Sequence, residues 1–142
     1  LTLRFFGEVE AAQAEDVAEA LESVRAAPLA LALRAVGHFE KKGRAHTLWA
    51  GLAPSDALAA LQRKVETAAR RAGLTPESRK FAPHITLARL GAGSGPVAPF
   101  LAAHGALAGA PWQVETFDLV ESTLTPRGSD YETVRRYRLF AE

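Results

Sequence analysis

The sequence contains no cysteine in its 142 residues, and it contains no long apolar run. Without cysteine the chain can form no disulfide framework, no thiolate nucleophile and no cysteine-ligated zinc site. No stretch approaches the roughly 20 apolar residues that a membrane-spanning helix requires, and no signal peptide stands at the visible start. We therefore expect a cytoplasmic protein that contacts no membrane.

An excess of charge of either sign is also missing. The chain has 17 Lys and Arg residues against 16 Asp and Glu residues, which gives a net charge of +1. Any contact with nucleic acid must then be local, because no basic field covers the molecule. With 48% hydrophobic and 23% charged residues, the composition is that of a soluble globular domain. We expect residues 1–142 to form a single domain and a monomer.

The hydrophobic spacing along the chain predicts both strands and helices. The predicted strands are residues 1–6, 29–36, 47–51, 84–90, about 112–122 and about 130–140, and the predicted helices are 11–25, 56–72 and one within 97–107. The order βαββα followed by βαββ outlines two similar halves. It predicts an α+β fold of two pseudo-symmetric lobes, each an antiparallel sheet with helices outside, and an active-site cleft between them.

His84 and Thr86 are the residues whose spacing points to chemistry. Two positions apart on a strand, they project from the same face. An imidazole moves protons near neutral pH, and a hydroxyl can donate to a phosphoryl oxygen. Arg89, three residues beyond Thr86, can clamp a phosphate with two N–H groups. The residue types alone also allow His84 to be a partly buried strand histidine without catalytic function.

Two segments match longer family patterns. Residues 84–87 match the His-x-Thr-x tetrapeptide of the two-histidine phosphoesterases, and residues 81–89 match Phe-x-Pro-His-Ile-Thr-Leu-x-Arg throughout. Residues 1–9 match His-Leu-Thr-Leu-x-Phe-Leu-Gly-Glu-Val except for the leading histidine and Phe6. Residues 48–51 and 122–132 also resemble segments of the same family. The chain resembles the 2′-5′ RNA ligase family, also called RNA 2′,3′-cyclic phosphodiesterases, over nearly its whole length.

The resemblance implies metal-independent hydrolysis of RNA 2′,3′-cyclic phosphate ends to 2′-phosphates, with reversible 2′-5′ ligation by the same residues and with no cofactor. RNA, including tRNA fragments, would be the partner. His84 would be the proton acceptor, and Thr2 and Thr86 would hold the nonbridging oxygens. The implied substrate-binding residues are Arg89, Phe5, Leu1, Leu3, Ile85 and Leu87. The other catalytic histidine would precede Leu1, so we expect the chain to lack that histidine and the first strand and helix.

Several side chains near these motifs allow two interpretations. Phe5 would stack on a base or lie in the core, and Arg4 would contact RNA backbone or water. Arg79 and Lys80 would attract phosphates or form a solvated loop. In function, the alternatives are a cyclic phosphodiesterase acting on a small nucleotide or a nicotinamide-type cyclic phosphate, and a non-catalytic RNA-binding module.

The remaining histidines lack partners at a chemically useful spacing. His38 and His104 are predicted to be surface or structural residues, and His46 and Thr47 should point to opposite strand faces because they are adjacent. No histidine or acidic residues have metal-ligand spacing, so no metal site is predicted. The glycines of residues 91–95 form neither a Rossmann pattern nor a P-loop.

Overall fold

The computed structural model describes residues 1–141, and the chain folds into three helices and seven strands in that range. The helices are α1 (Ala11–Leu21), α2 (Asp56–Arg71) and α3 (Ala98–His104). The strands are β1 (Leu29–Leu31), β2 (Leu33–Lys41), β3 (Arg44–Leu52), β4 (His84–Arg89), β5 (Trp112–Val114), β6 (Thr116–Thr125) and β7 (Gly128–Arg138). Short β1 pairs with short β5.

The chain divides into two units, and each unit is assembled from three separate segments. Unit 1 consists of Leu1–Leu3, Ala30–Asp56 and Lys80–Trp112. Unit 2 consists of Arg4–Leu29, Ala57–Arg79 and Gln113–Glu142. Each unit holds an antiparallel sheet and at least one helix, so the predicted α+β class is confirmed. The units do not coincide with the two sequence halves, because each takes segments from both.

Unit 1 is built on the antiparallel sheet β2-β3-β4, in which β4 is an edge strand. A two-residue turn joins β2 to β3, with φ of 53° at Lys42 and 74° at Gly43. Positive φ at both positions is the type I′ geometry that matches the twist of a hairpin. His84 is the first residue of β4, the edge strand that pairs with β3.

Unit 2 contains most of the buried apolar side chains of the described residues. They come from α1 and the residues that follow it up to the start of β1, from α2, and from the β6–β7 hairpin with the residue after it: Val17, Ala18, Leu21, Val24, Leu29, Leu58, Leu61, Val65, Ala68, Ala69, Phe117, Tyr137 and Leu139. The rings of Phe117 and Tyr137 stack at 4.8 Å, and the Tyr137 hydroxyl donates to the Ala18 carbonyl at 2.9 Å. Burial of these side chains supplies the main stabilisation of unit 2.

Helix α2 begins and ends as its sequence predicts. Asp56 lies in its first turn, and Arg70 and Arg71 lie in its last turn, where each charge complements the helix dipole. Gly73, at φ 94°, ends the helix, and the Leu74 N–H bonds back to the Ala69 carbonyl. This is the left-handed glycine cap that the sequence predicted.

Several predictions of secondary structure are wrong in extent or kind. Residues 29–36 and about 112–122 do not form single strands, because each stretch divides into two strands of different sheets, β1 and β2 in the first and β5 and β6 in the second. Helix α1 ends at Leu21 rather than Arg25, because the next N–H groups bond three residues back and the Ser23 hydroxyl donates to the Ala20 carbonyl. Residues 1–6 form no strand. Their composition favours extended backbone, but a strand also needs a neighbouring ladder, which composition does not supply.

Candidate active site

The register of β3 against β4 decides which predicted site residues share a face. His84 pairs with Gly51, Thr86 with Trp49 and Arg89 with Thr47. The three partners on β3 are two residues apart, so they project from one face. On β4 the interval from Thr86 to Arg89 is three residues, and simple alternation would turn Arg89 away.

A register shift between Leu48 and Trp49 compensates for the three-residue interval on β4. One extra residue on β4 is accommodated there, which is the effect of a β-bulge. Arg89 is thereby brought onto the face that carries His84 and Thr86. Both Thr86 and Arg89 are exposed and His84 is half-buried, so this face offers a proton acceptor, a hydroxyl and a guanidinium to a phosphate.

The His84 ring has one of its two nitrogens engaged. Nδ1 lies 2.7 Å from the Ala82 carbonyl oxygen. A carbonyl oxygen only accepts, so Nδ1 must carry the hydrogen in this bond. In the neutral imidazole the other nitrogen, Nε2, then holds the free lone pair and can accept a proton. A backbone carbonyl two residues earlier thus sets the tautomer that a general base needs.

Two aromatic rings contact the imidazole. The Phe39 ring is 4.9 Å from the His84 ring at an interplanar angle of 89°, and the Trp49 ring is 6.4 Å away. Edge-to-face packing at such distances is attractive. The ring of the predicted base is therefore held by a hydrogen bond at Nδ1 and by aromatic packing.

The remaining predicted site residues fall in three places. Thr2 is exposed and belongs, with Leu1 and Leu3, to the unit that contains β4. Phe5 belongs to unit 2 and is 62% exposed, which rules out the core interpretation. On β4, Ile85 is half-buried opposite Ala50, and Leu87 is 53% exposed beside the bulge.

Arg4 is held mainly by groups of this chain, so neither RNA backbone nor water is its main partner. Its side chain is 8% exposed, and Nε donates to Glu66 Oε2 at 2.6 Å. The other guanidinium nitrogens donate to the carbonyl oxygens of Phe5 (2.6 Å) and Thr75 (2.5 Å). Glu66 Oε1 also accepts from the Glu77 N–H at 3.0 Å. Arg4 thus ties the N-terminal segment to α2 and to the loop after it.

Arg79 in that loop is already paired. It donates to Glu77 through its backbone N–H, Nε and a terminal nitrogen at 3.0–3.1 Å. These hydrogen bonds from Arg79, the side-chain bond first, lower the pKa of the Glu77 carboxyl to about 2. Arg79 is therefore paired with Glu77 although its side chain is 75% exposed, and the neighbouring Lys80 is exposed as well.

The other histidines have structural partners. His38 Nε2 lies 2.7 Å from Glu40 Oε1, and the His104 ring packs at 5.0 Å from Phe100. His46 Nδ1 contacts the Thr47 hydroxyl at 2.8 Å, so these side chains meet although adjacent strand residues were expected to diverge. Within residues 1–141 no group of three or more His, Cys, Asp or Glu side chains is arranged to hold a metal ion. The helices of this range are too short or too polar to span a membrane.

Comparison with known proteins decides the family. The sequence profile of the LigT-like phosphoesterases matches residues 1–49 and 51–129. The chain belongs to the LigT-like phosphoesterase family. Members of this family are hydrolases, so the resemblance read from residues 1–9 and 81–89 is confirmed, and so is the expectation of an enzyme.

Relatives in this family carry RNA-related names. A protein of Aeropyrum pernix named RNA 2′,3′-cyclic phosphodiesterase is 33% identical over 94% of this chain and 78% of its own length. A protein of the same name from Geobacillus stearothermophilus is 33% identical over 98% of this chain and 45% of its own length. The chain thus spans less than half of that second relative.

Solved structures of the LigT-like family share the fold. A protein of Thermus thermophilus superposes with a TM-score of 0.81 at 27% identity, covering all of this chain and 78% of that one. E. coli LigT, solved in complex with 3′-AMP, has a TM-score of 0.75 at 25% identity, covering 98% of this chain and 75% of that one.

Sequence reasoning missed the residues that surround the His84 ring. The Ala82 carbonyl, Phe39 and Trp49 all contact or approach it. No spacing in the sequence links Phe39 to His84, because strand register and two separate loops determine that contact. The only available signal was the pair of aromatic residues on one predicted hairpin.

Proposed function

We propose that this LigT-like phosphoesterase hydrolyses RNA 2′,3′-cyclic phosphate ends to 2′-phosphates, with His84 as the general base. The observation that supports it best is the Nδ1 bond from His84 to the Ala82 carbonyl. It leaves Nε2 as the proton acceptor on the face shared with Thr86 and Arg89. A general base must present a free lone pair toward the nucleophile.

In the proposed reaction His84 Nε2 takes a proton from water, and the water oxygen attacks the phosphorus. The bond from phosphorus to the 3′ oxygen breaks, and the phosphate stays on the 2′ oxygen. The Thr86 hydroxyl donates to a nonbridging oxygen as its negative charge grows, and Arg89 binds the phosphate. Thr2 supplies the matching donor from the first motif.

The leaving 3′ oxygen must gain a proton. The resemblance assigns this role to an imidazole one residue before Leu1. A 5′-hydroxyl in place of the attacking water would yield a 2′-5′ phosphodiester, which is the ligation that the family name describes. The same residues then serve both reactions, since only the nucleophile differs.

The substrate class follows from the named relatives. The Aeropyrum pernix relative carries the name of an RNA 2′,3′-cyclic phosphodiesterase, and the E. coli relative was solved with a nucleoside monophosphate. We extend this to RNA ends on a monomeric enzyme, with tRNA fragments among the substrates. The exposed Phe5 ring would stack on a base, and Leu1, Leu3, Ile85 and Leu87 would flank the motif side chains.

The test is turnover of an oligoribonucleotide that ends in a 2′,3′-cyclic phosphate, with the protein as encoded. We expect His84→Ala to lower kcat at least about 100-fold and Thr86→Val about 10-fold. His38→Ala is the matched control, because His38 pairs with Leu48 and so lies on the opposite face of the same sheet. It should keep wild-type kcat.

The product also tests the proposal, since a 2′-phosphate end is required. Alanine at the position before Leu1 should abolish turnover as His84→Ala does. A folded His84→Ala protein with wild-type kcat, or a 3′-phosphate product, would refute the proposed mechanism. RNA binding without turnover in the unaltered protein would favour the non-catalytic alternative.

A further inference from the structure

Position 37 must be a glycine because a side chain on the neighbouring strand fills the space beside it. Gly37 lies directly opposite Trp49 in the β2–β3 pairing, and it is not among the residues with positive φ. A Cβ at Gly37 would lie within 2.8 Å of three atoms of the Trp49 indole. Because non-bonded atoms do not approach so closely, the indole occupies the space that any other residue at position 37 would fill.

The indole in turn supports a second ring. The Trp49 and Phe39 ring centroids are 5.6 Å apart, and the Phe39 and His84 centroids are 4.9 Å apart at 89°. Both separations lie in the range of favourable aromatic pairs. A continuous contact therefore runs from Gly37 through two rings to the imidazole. Gly37 is separated from that imidazole by the whole width of β3.

We propose that Gly37, Trp49 and Phe39 are positioning residues for the base His84. Gly37 seats the indole, the indole supports Phe39, and Phe39 holds the His84 ring so that Nε2 faces the phosphate. The inference rests on the proposed function, in which His84 Nε2 removes a proton from water. None of the three needs to touch the reacting atoms.

The effect should fall on kcat rather than on substrate affinity. Proton transfer needs the base within hydrogen-bond reach of the nucleophile, and a misplacement of about 1 Å can cost about 100-fold. Among the described residues, the ring contacts of Phe39 are with His46, Trp49 and His84, and none is with Thr86 or Arg89, which are proposed to bind the phosphate. We expect Gly37→Ala and Phe39→Leu each to lower kcat about 10-fold or more and to change KM less than about 2-fold.

The experiment compares Phe39→Leu with Phe100→Leu in the protein as encoded. Phe100 also packs on a histidine, His104, at 5.0 Å in the same unit, so it controls for the loss of a ring–histidine contact. The readouts are kcat and KM and, in Gly37→Ala, which keeps both rings, the NMR chemical shift of the His84 Cε1 proton. That shift senses the ring currents of Phe39 and Trp49, and a loss of stability alone would not move it.

A compensating variant tests the steric step. Phenylalanine lacks the fused second ring that blocks a Cβ at Gly37, so Gly37→Ala/Trp49→Phe should recover most of the kcat that Gly37→Ala loses. A folded double variant no more active than Gly37→Ala would overturn the inference. If Gly37→Ala does not fold, the kcat of Phe39→Leu alone tests the positioning role.

Wild-type kcat in folded Phe39→Leu, or an unmoved His84 signal in folded Gly37→Ala, would also overturn the inference. His84→Ala separates this failure from a failure of the proposed function. If His84→Ala loses turnover while Phe39→Leu keeps the wild-type kcat, only the positioning role is refuted. Unchanged turnover in His84→Ala refutes the proposed function itself.

Discussion

The partly buried pair of Arg4 and Glu66 offers the sharpest test of how the N-terminal segment is held. Glu66→Gln keeps the shape of the side chain and removes its charge. The carboxylate has two oxygens in use, one accepting from Arg4 Nε at 2.6 Å and one from the Glu77 N–H at 3.0 Å. A glutamine has a single acceptor oxygen, so one of these donors loses its partner.

The magnitude follows from burial. An unsatisfied buried donor costs about 1–3 kcal/mol, and breaking a fully buried ion pair costs about 3–5 kcal/mol. The Arg4 side chain is 8% exposed and that of Glu66 is 18% exposed, so the site is mostly but not fully shielded from water. The guanidinium keeps two carbonyl acceptors and has Glu77 Oε2 at 3.9 Å. We therefore expect Glu66→Gln to lower the free energy of unfolding by about 2–3 kcal/mol.

The assay is urea unfolding at pH 7, with Glu22→Gln as the matched control. Glu22 pairs with Arg135 at 2.8 Å in the same unit, but its side chain is 62% exposed. An exposed pair contributes about 0–1 kcal/mol, so the control should lose little stability. Equal losses for the two variants, or a loss below about 1 kcal/mol for Glu66→Gln, would show that burial does not set the strength of the Arg4 pair.

Three further predictions concern stability. Lys42→Asn should raise the free energy of unfolding by about 0.5–1 kcal/mol in urea, because asparagine adopts the φ of 53° at this turn more readily than lysine; no gain would contradict the turn assignment. The pKa of the Glu77 carboxyl is lowered from 4.5 to about 2 by hydrogen bonds from Arg79, so its contribution is complete above about pH 4.5 and is lost as the pH falls toward 2. Urea titrations of wild type and Glu77→Gln should therefore differ at pH 7 and converge in acid, and a constant difference would exclude this linkage. Tyr137→Phe removes the buried donor to the Ala18 carbonyl and should cost about 1–2 kcal/mol by thermal or urea unfolding, whereas a neutral result would mean that water replaces it.

Local pattern predicted most helices and strands of this chain. Helix α2 with its Gly73 cap and strands β3, β4 and β7 form within a few residues of their predicted bounds, whereas the strands predicted at 29–36 and about 112–122 each divide into two. Their periodicity reflects which side of each element is buried, and that information is written in consecutive residues. The end of α1 was misplaced because three-residue hydrogen bonds at its last turn leave no strong sequence signal.

The same limit explains the prediction for residues 1–6. Leu, Thr and Phe favour extended backbone, but a strand exists only where a partner strand supplies a ladder. Here Arg4 joins the segment to Glu66 and to the Thr75 carbonyl, residues more than sixty positions away. Side-chain bonds at such separation have no local signature, so the sequence could not show that Arg4 would be buried.

For the candidate site, the sequence by itself determined the residue types and the His-x-Thr-x spacing that place His84 and Thr86 on one strand face. It also determined the family, because the matched motifs extend over nearly the whole chain. Tertiary structure alone decided that a bulge turns Arg89 to the same face and that Phe39 packs against the His84 ring. The physical reason is that alternation along a strand is a property of neighbouring residues, whereas register and ring contacts depend on how separate strands pair.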